Sequence, residues 1–287
     1  MADYEVSFPS TDPTLSQPLE VLATAGVRYC VVGDLVIMAL GGPLLLSDIY
    51  LAVADDQLEL ARSALASQGF DEWPQTHKRF FCAFTTKESA TGWPGYRFLP
   101  QEVGPNDGPD RYYATSTILI PASFWYLDLS PESWTTTTFL VPGTVYRFPP
   151  RLVYLRALID ALTERVGDDD LNGPITGYFN IQYSYTLNHF TADTLSHLPV
   201  EDQFFVDLYT KVPVVTIRKK LGYLRKQIRA GILTPEKAYT LVPYQKHLEV
   251  AALRKQRRKP GKGGKPSLRF PLESNNVSVS QDQPENV

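Results

Sequence analysis

Residues 27–65 read VRYCVVGDLVIMALGGPLLLSDIYLAVADDQLELARSAL, and this stretch decides the fold class. Val27 to Val32 is a run of β-branched and aromatic residues closed by Gly33, the pattern of a buried strand. Asp34 to Leu40 is apolar and short, which predicts a buried helix ended by the Gly41-Gly42-Pro43 break. Asp48 to Val53 reads as a second strand. Asp55 and Asp56 then open a helix predicted to reach Gln68, with Leu58, Leu60, Ala61 and Leu65 on its apolar side. Its acids fall in the first turn, where the helix dipole favours them. Strand, short helix, strand, helix is the order of an α/β fold.

Working outward, Leu15 to Ala25 predicts a helix before this unit, with Leu15, Leu19 and Leu22 at helical spacing. After it, Phe80 to Thr86, Tyr96 to Leu99, Thr115 to Ile120 and Phe124 to Leu129 are strand-like and aromatic. A loop rich in Gly, Pro and Asp lies between them, Gly104 to Arg111. Pro149-Pro150 marks a boundary. Arg151 to Val166 then places Leu152, Leu155, Leu158, Ile159, Leu162 and Val166 at three-and-four spacing, an amphipathic helix. Helical character continues to about residue 258, and Thr234-Pro235 forms a helix start with proline at the first helical position. The expected organisation is an α/β domain over 1–148, a basic helical region over 149–258, and a disordered tail over 259–287, where Gly, Pro, Ser, Asn and Gln dominate.

Composition narrows the class. Apolar residues make up 43% and charged residues 21%, as in globular proteins. The two cysteines, Cys30 and Cys82, sit in apolar stretches and read as buried thiols. With four scattered histidines they form no zinc-binding spacing. No apolar run reaches membrane-spanning length and no leader is visible, so the expected location is cytoplasmic or nuclear. The net charge of −3 hides an asymmetry. Residues 1–210 carry a net −15, whereas 211–269 hold 17 basic residues against Glu236 and Glu249. A segment this basic points to a polyanion or to the chain's own acidic half.

The quoted stretch resembles the opening unit of the nucleotidyltransferase superfamily, in particular small fungal and bacterial proteins of antitoxin-partner type. In that family a strand ends in Gly-Gly or Gly-Ser, a short helix follows, and the next strand carries two acids one residue apart. Alternate strand side chains share a face, so such a pair can hold two Mg²⁺ ions, completed by a third carboxylate on a neighbouring strand. The resemblance implies a mixed sheet followed by helices, Gly33 at the phosphates, and Asp48 as metal ligand and catalytic carboxylate. Asp128 is the candidate third acid. The chain departs from the pattern at two places: Tyr50 stands at the second carboxylate position and Asp34 at the second small residue. The implied activity is nucleotidyl transfer with Mg²⁺, or, given Tyr50, a catalytically inactive RNA-binding relative.

Asp55-Asp56-Gln57-Leu58-Glu59 is similar to the Asp-Asp-x-x-Glu motif of fungal arginine-containing cyclodipeptide synthases, which use aminoacyl-tRNA. That resemblance implies catalytic roles for Asp55, Asp56 and Glu59 in a tRNA-dependent transferase. The alternative is a solvated first turn. Asp168-Asp169-Asp170 reads as a polar turn. Arg218, Lys219, Lys220, Arg225, Lys226 and Arg229 lie on one predicted helix with Tyr223 among them, and seven more basic residues follow between Arg254 and Lys265. They are candidate RNA contacts, tRNA in particular. Neutralisation of the acidic half is the competing account.

Overall fold

The computed structural model describes residues 13–42, 48–73, 94–99, 115–164, 174–209 and 215–242. Those up to Val242 belong to one compact unit of mixed α/β architecture. Helix α1 (Pro13–Thr24) leads into β1 (Tyr29–Val32), α2 (Asp34–Ala39) and β2 (Asp48–Val53). A 3₁₀ turn at Asp55–Gln57 precedes α3 (Leu58–Ser67). Strands β3 (Asp71–Trp73), β4 (Tyr96–Leu99) and β5 (Ser116–Pro121) complete a sheet of order β1-β2-β5-β4-β3. The β2–β5 pair is parallel, with Asp48 opposite Ser116 and Tyr50 opposite Ile118. The other three pairs are antiparallel, with Val32 opposite Tyr50 and Arg97 opposite Ile118. Every residue of β1 and β2 is buried. Their apolar runs therefore show no in–out alternation, as expected for strands covered on both faces.

A second, two-stranded sheet pairs β6 (Phe139–Leu140) with β7 (Arg147–Phe148), after the short helix α4 (Trp134–Thr137). The helical layer comprises α5 (Arg151–Glu164), α6 (Pro174–Asn188), α7 (Ala192–Leu195), α8 (Val200–Tyr209), α9 (Val215–Arg229) and α10 (Pro235–Leu241). Within it α5 packs on α6 and α9, and α8 packs on α9; α6 also meets α2. Thr234 caps α10, its hydroxyl accepting from the Lys237 N–H, with Pro235 at the first position.

Two local expectations are corrected. Phe124–Leu129 is not a strand. Ala122–Trp125 forms a 3₁₀ turn, and Tyr126 follows in the left-handed region at φ 54°. Its aromatic residues serve packing between elements: buried Trp125 lies against Tyr154 of α5 and Phe179 of α6. Nor do Asp55 and Asp56 begin an α-helix. Gln57 is drawn back to the α1–β1 turn, its Oε1 accepting from the Arg28 N–H at 2.7 Å, so the chain tightens there and α3 starts at Leu58. The Phe80–Thr86 strand, the Gly104–Arg111 loop, Cys82, Asp168–Asp170 and everything beyond Val242 lie outside the described residues.

Candidate functional site

The surroundings of Asp48 are assembled by β-sheet register. Side chains directly opposite one another share a face, and so do alternate residues along a strand. Asp48 and Tyr50 of β2 therefore share one face with Ser116 and Ile118 of β5 and with Arg97 of β4. Arg97 turns its guanidinium along that face. Its Nη2 lies 3.3 Å from Asp48 Oδ1, and its Nε donates to Ser116 Oγ at 2.8 Å. The Ser116 backbone N–H donates to the same Asp48 oxygen at 3.2 Å. Both side chains are out of solvent, 0% exposed for Arg97 and 1% for Asp48. The Trp73 ring lies 5.6 Å from the guanidinium carbon.

Two residues along the same face of β2, Tyr50 stands where the resemblance would place a second carboxylate, and it packs against Tyr178 of α6, ring centroids 5.7 Å apart. Gly33 adopts φ 71°, ψ −142°, a conformation open chiefly to glycine. A Cβ here would stand 2.5 Å from the Tyr178 hydroxyl and 3.0 Å from the Tyr50 ring. The Gly33 N–H donates to the Tyr154 hydroxyl at 3.0 Å. Asp34 Oδ1 accepts from Gln182 Nε2 at 2.6 Å and from the Tyr178 hydroxyl at 3.2 Å. Burial, and then the Asp34 charge, push the Tyr178 phenol well above its usual range. The backbone amide and carboxylate at the start of α2 are thus engaged by α5 and α6. Among the described residues, β5 offers no acid beside Asp48, and no three His, Cys, Asp or Glu side chains group so as to hold a metal ion. The described donors around Asp48 do not fit a two-Mg²⁺ centre.

The acidic run disperses. Asp55 Oδ1 accepts from the Ser123 N–H at 3.0 Å, at the start of the second 3₁₀ turn. Asp56 takes both its hydrogen bonds from Arg28 Nη2, at 2.6 and 2.8 Å. Glu59 accepts from the Tyr96 hydroxyl, which holds its carboxyl below the usual range, and pairs with Arg62 at 3.4 Å. Asp55 and Asp56 do share a cleft of about 400 Å³ with Asp128. Asp128 is turned to its own loop: hydrogen bonds from Ser133 and Ser130 lower its carboxyl, and the Ser130 N–H lies at 3.0 Å. Asp48 and Glu59 are not part of that cleft.

The basic helix is split by its own amphipathicity. Leu221, Leu224, Arg225 and Ile228 of α9 face inward. Arg225 is fully buried; its Nε donates to Asp202 Oδ1 at 2.7 Å, and its Nη1 to Asp160 at 2.7 Å and Thr163 Oγ1 at 3.0 Å. Arg229 reaches Asp160 at 3.1 Å and Glu201 at 3.5 Å, and Lys226 reaches Glu164 at 2.7 Å. Gly222 makes this approach close, since a Cβ there would meet Thr163 Cβ at 3.3 Å. Arg225 is therefore a core residue rather than an external RNA contact. Lys220 and Tyr223 are exposed, Lys219 is half-buried, and the Arg218 side chain lies outside the described residues.

No family model and no curated protein matches the chain.

Sequence reasoning missed Arg97, Tyr154, Tyr178, Gln182 and Asp202. Arg97 had a signal. A guanidinium in the middle of the aromatic run Tyr96 to Leu99 requires an anion if the strand is buried. Helix α6 had another: it contains no charged residue in 15, so a buried polar cluster would draw on its amides and hydroxyls. Nothing in the sequence pairs Asp202 with Arg225.

Proposed function

We propose that this chain is a nucleotidyltransferase-like protein that binds RNA and does not carry out two-metal nucleotidyl transfer. The observation that carries the reading is the buried Asp48–Arg97 pair. A two-metal site needs carboxylates with oxygens directed at cations. Here the family-like carboxylate already faces a fixed cation, and its partner position is an aromatic ring. The dispersed Asp55, Asp56 and Glu59 give tRNA-dependent peptide-bond formation no common acid centre among the described residues. The RNA reading draws on the outward lysines of α9 and on the basic composition of 243–269.

The test uses full-length protein with Mg²⁺ or Mn²⁺, α-labelled nucleoside triphosphates and tRNA. The expected outcome is an RNA gel shift that fades between about 50 and 200 mM salt as counterion release weakens. Label incorporation should not exceed that of the Asp48→Asn variant. Metal-dependent incorporation lost in Asp48→Asn would overturn the proposal.

A further inference from the structure

We propose that the outer face of α9 takes single-stranded RNA, stacking an unpaired base on Tyr223 between Lys220 and Lys226; this rests on the RNA-binding reading above. The Tyr223 side chain contributes nothing to the core: it is 61% exposed, while Leu221, Leu224 and Ile228 supply the buried contacts of the helix. Helix residues three and four apart are surface neighbours. Lys219 and Lys220 therefore lie one turn before the Tyr223 ring and Lys226 one turn after it. An ammonium group flanks an exposed aromatic face on both sides along the axis.

The charges are usable. Lys220 is exposed, and Lys226 is 49% exposed and, among the described residues, pairs with Glu164. A pair so wet is weak, and a phosphate can replace its carboxylate at small cost. Buried Arg225 and the partly exposed Arg229 hold α9 on Asp160, Asp202 and Glu201, so the platform is presented on a fixed helix. The exposed stripe supplies an aromatic ring between lysine charges, with half-buried Gln227 one turn after Tyr223. Stacking with flanking cations is sequence-tolerant and needs an accessible base face, which a single strand offers and a duplex withholds.

Fluorescence anisotropy of full-length protein with labelled oligouridylate of about 20 nucleotides, at about 100 mM salt, tests this. Binding to the single strand is expected to exceed binding to a duplex of equal length. Tyr223→Ser should lose about tenfold on the single strand and little on the duplex, whereas Tyr223→Phe keeps the ring and the affinity. Tyr223 is exposed, so neither variant disturbs the core. Equal single-strand affinity for Tyr223→Ser and wild type, with loss only in Lys220→Gln and Lys226→Gln, overturns stacking and leaves the RNA reading standing. Equal binding of both RNAs by wild type overturns the single-strand preference. No binding of either RNA by wild type removes the RNA reading itself.

Discussion

Asp48 and Arg97 show how one cross-strand contact changes the meaning of a residue read in the sequence as a candidate metal ligand. An isolated charge in a protein interior is costly, and a buried pair is tolerated only while both partners are present. Arg97→Met leaves the Asp48 carboxylate buried beside Ser116 without its guanidinium. The expected loss is about 3–5 kcal/mol of unfolding free energy, read from urea denaturation. Adding Asp48→Asn to Arg97→Met removes both charges and should restore much of that loss. Strictly additive losses would mean that the two side chains are not energetically coupled. The same interaction explains why Asp48 is legible as a candidate ligand in sequence yet is committed to a strand two positions away in the sheet.

At the scale of the element, α9 combines two functions that its charge count does not separate. Its buried stripe includes an arginine whose donors satisfy carboxylates on α5 and α8, so part of the basic excess is internal neutralisation. Its outward residues Lys220, Tyr223 and Lys226 are exposed. Replacing Arg225 with Gln should therefore destabilise the fold by about 3–5 kcal/mol, because buried Asp202 loses its closest cation. Lys220→Gln should change stability by no more than about 0.5 kcal/mol. Chemical denaturation of the two variants side by side makes the comparison. Equal, small effects would mean that the Arg225 contacts do not hold the helix in place.

For the whole molecule, the sheet and the helical layer are joined by polar contacts buried between them. Tyr154 of α5 receives the Gly33 N–H, and Gln182 of α6 donates to Asp34. Up to Val242 the chain should therefore unfold in one transition. Cys30 in β1 is a reporter: it is fully buried, and burial pushes its thiol far above the ordinary range. In a Cys82→Ser background, native protein should resist a thiol reagent at pH 8. The urea dependence of Cys30 labelling should then coincide with loss of circular dichroism. Separate transitions would show the layers unfolding independently. Because burial raises the folded pKa, the unfolded chain gives up this thiol proton first, so stability is undiminished below the ordinary thiol value of 9.0 and declines as pH rises above it toward the folded one. Stability should accordingly fall on the alkaline side, less so in Cys30→Ala.

What the sequence determined by itself is local. Val27–Val32, Asp48–Val53 and Tyr96–Leu99 have strand chemistry along their own length, and β1, β2 and β4 formed there. The helices at Asp34 and Arg151 were likewise written in spacing and in glycine and proline breaks. Where the chain's course depends on a distant partner, local pattern misled: Gln57 is held by Arg28, and the aromatic Phe124–Trp125 segment turns inward to meet α5 and α6. The candidate site was legible only as a set of charged residues. Tertiary structure decided which charges meet, pairing Asp48 with Arg97 across 49 residues and Arg225 with Asp160 across 65. Propensity acts between neighbours in the chain, whereas the cost of burying a charge is settled by whichever opposite charge the fold brings beside it.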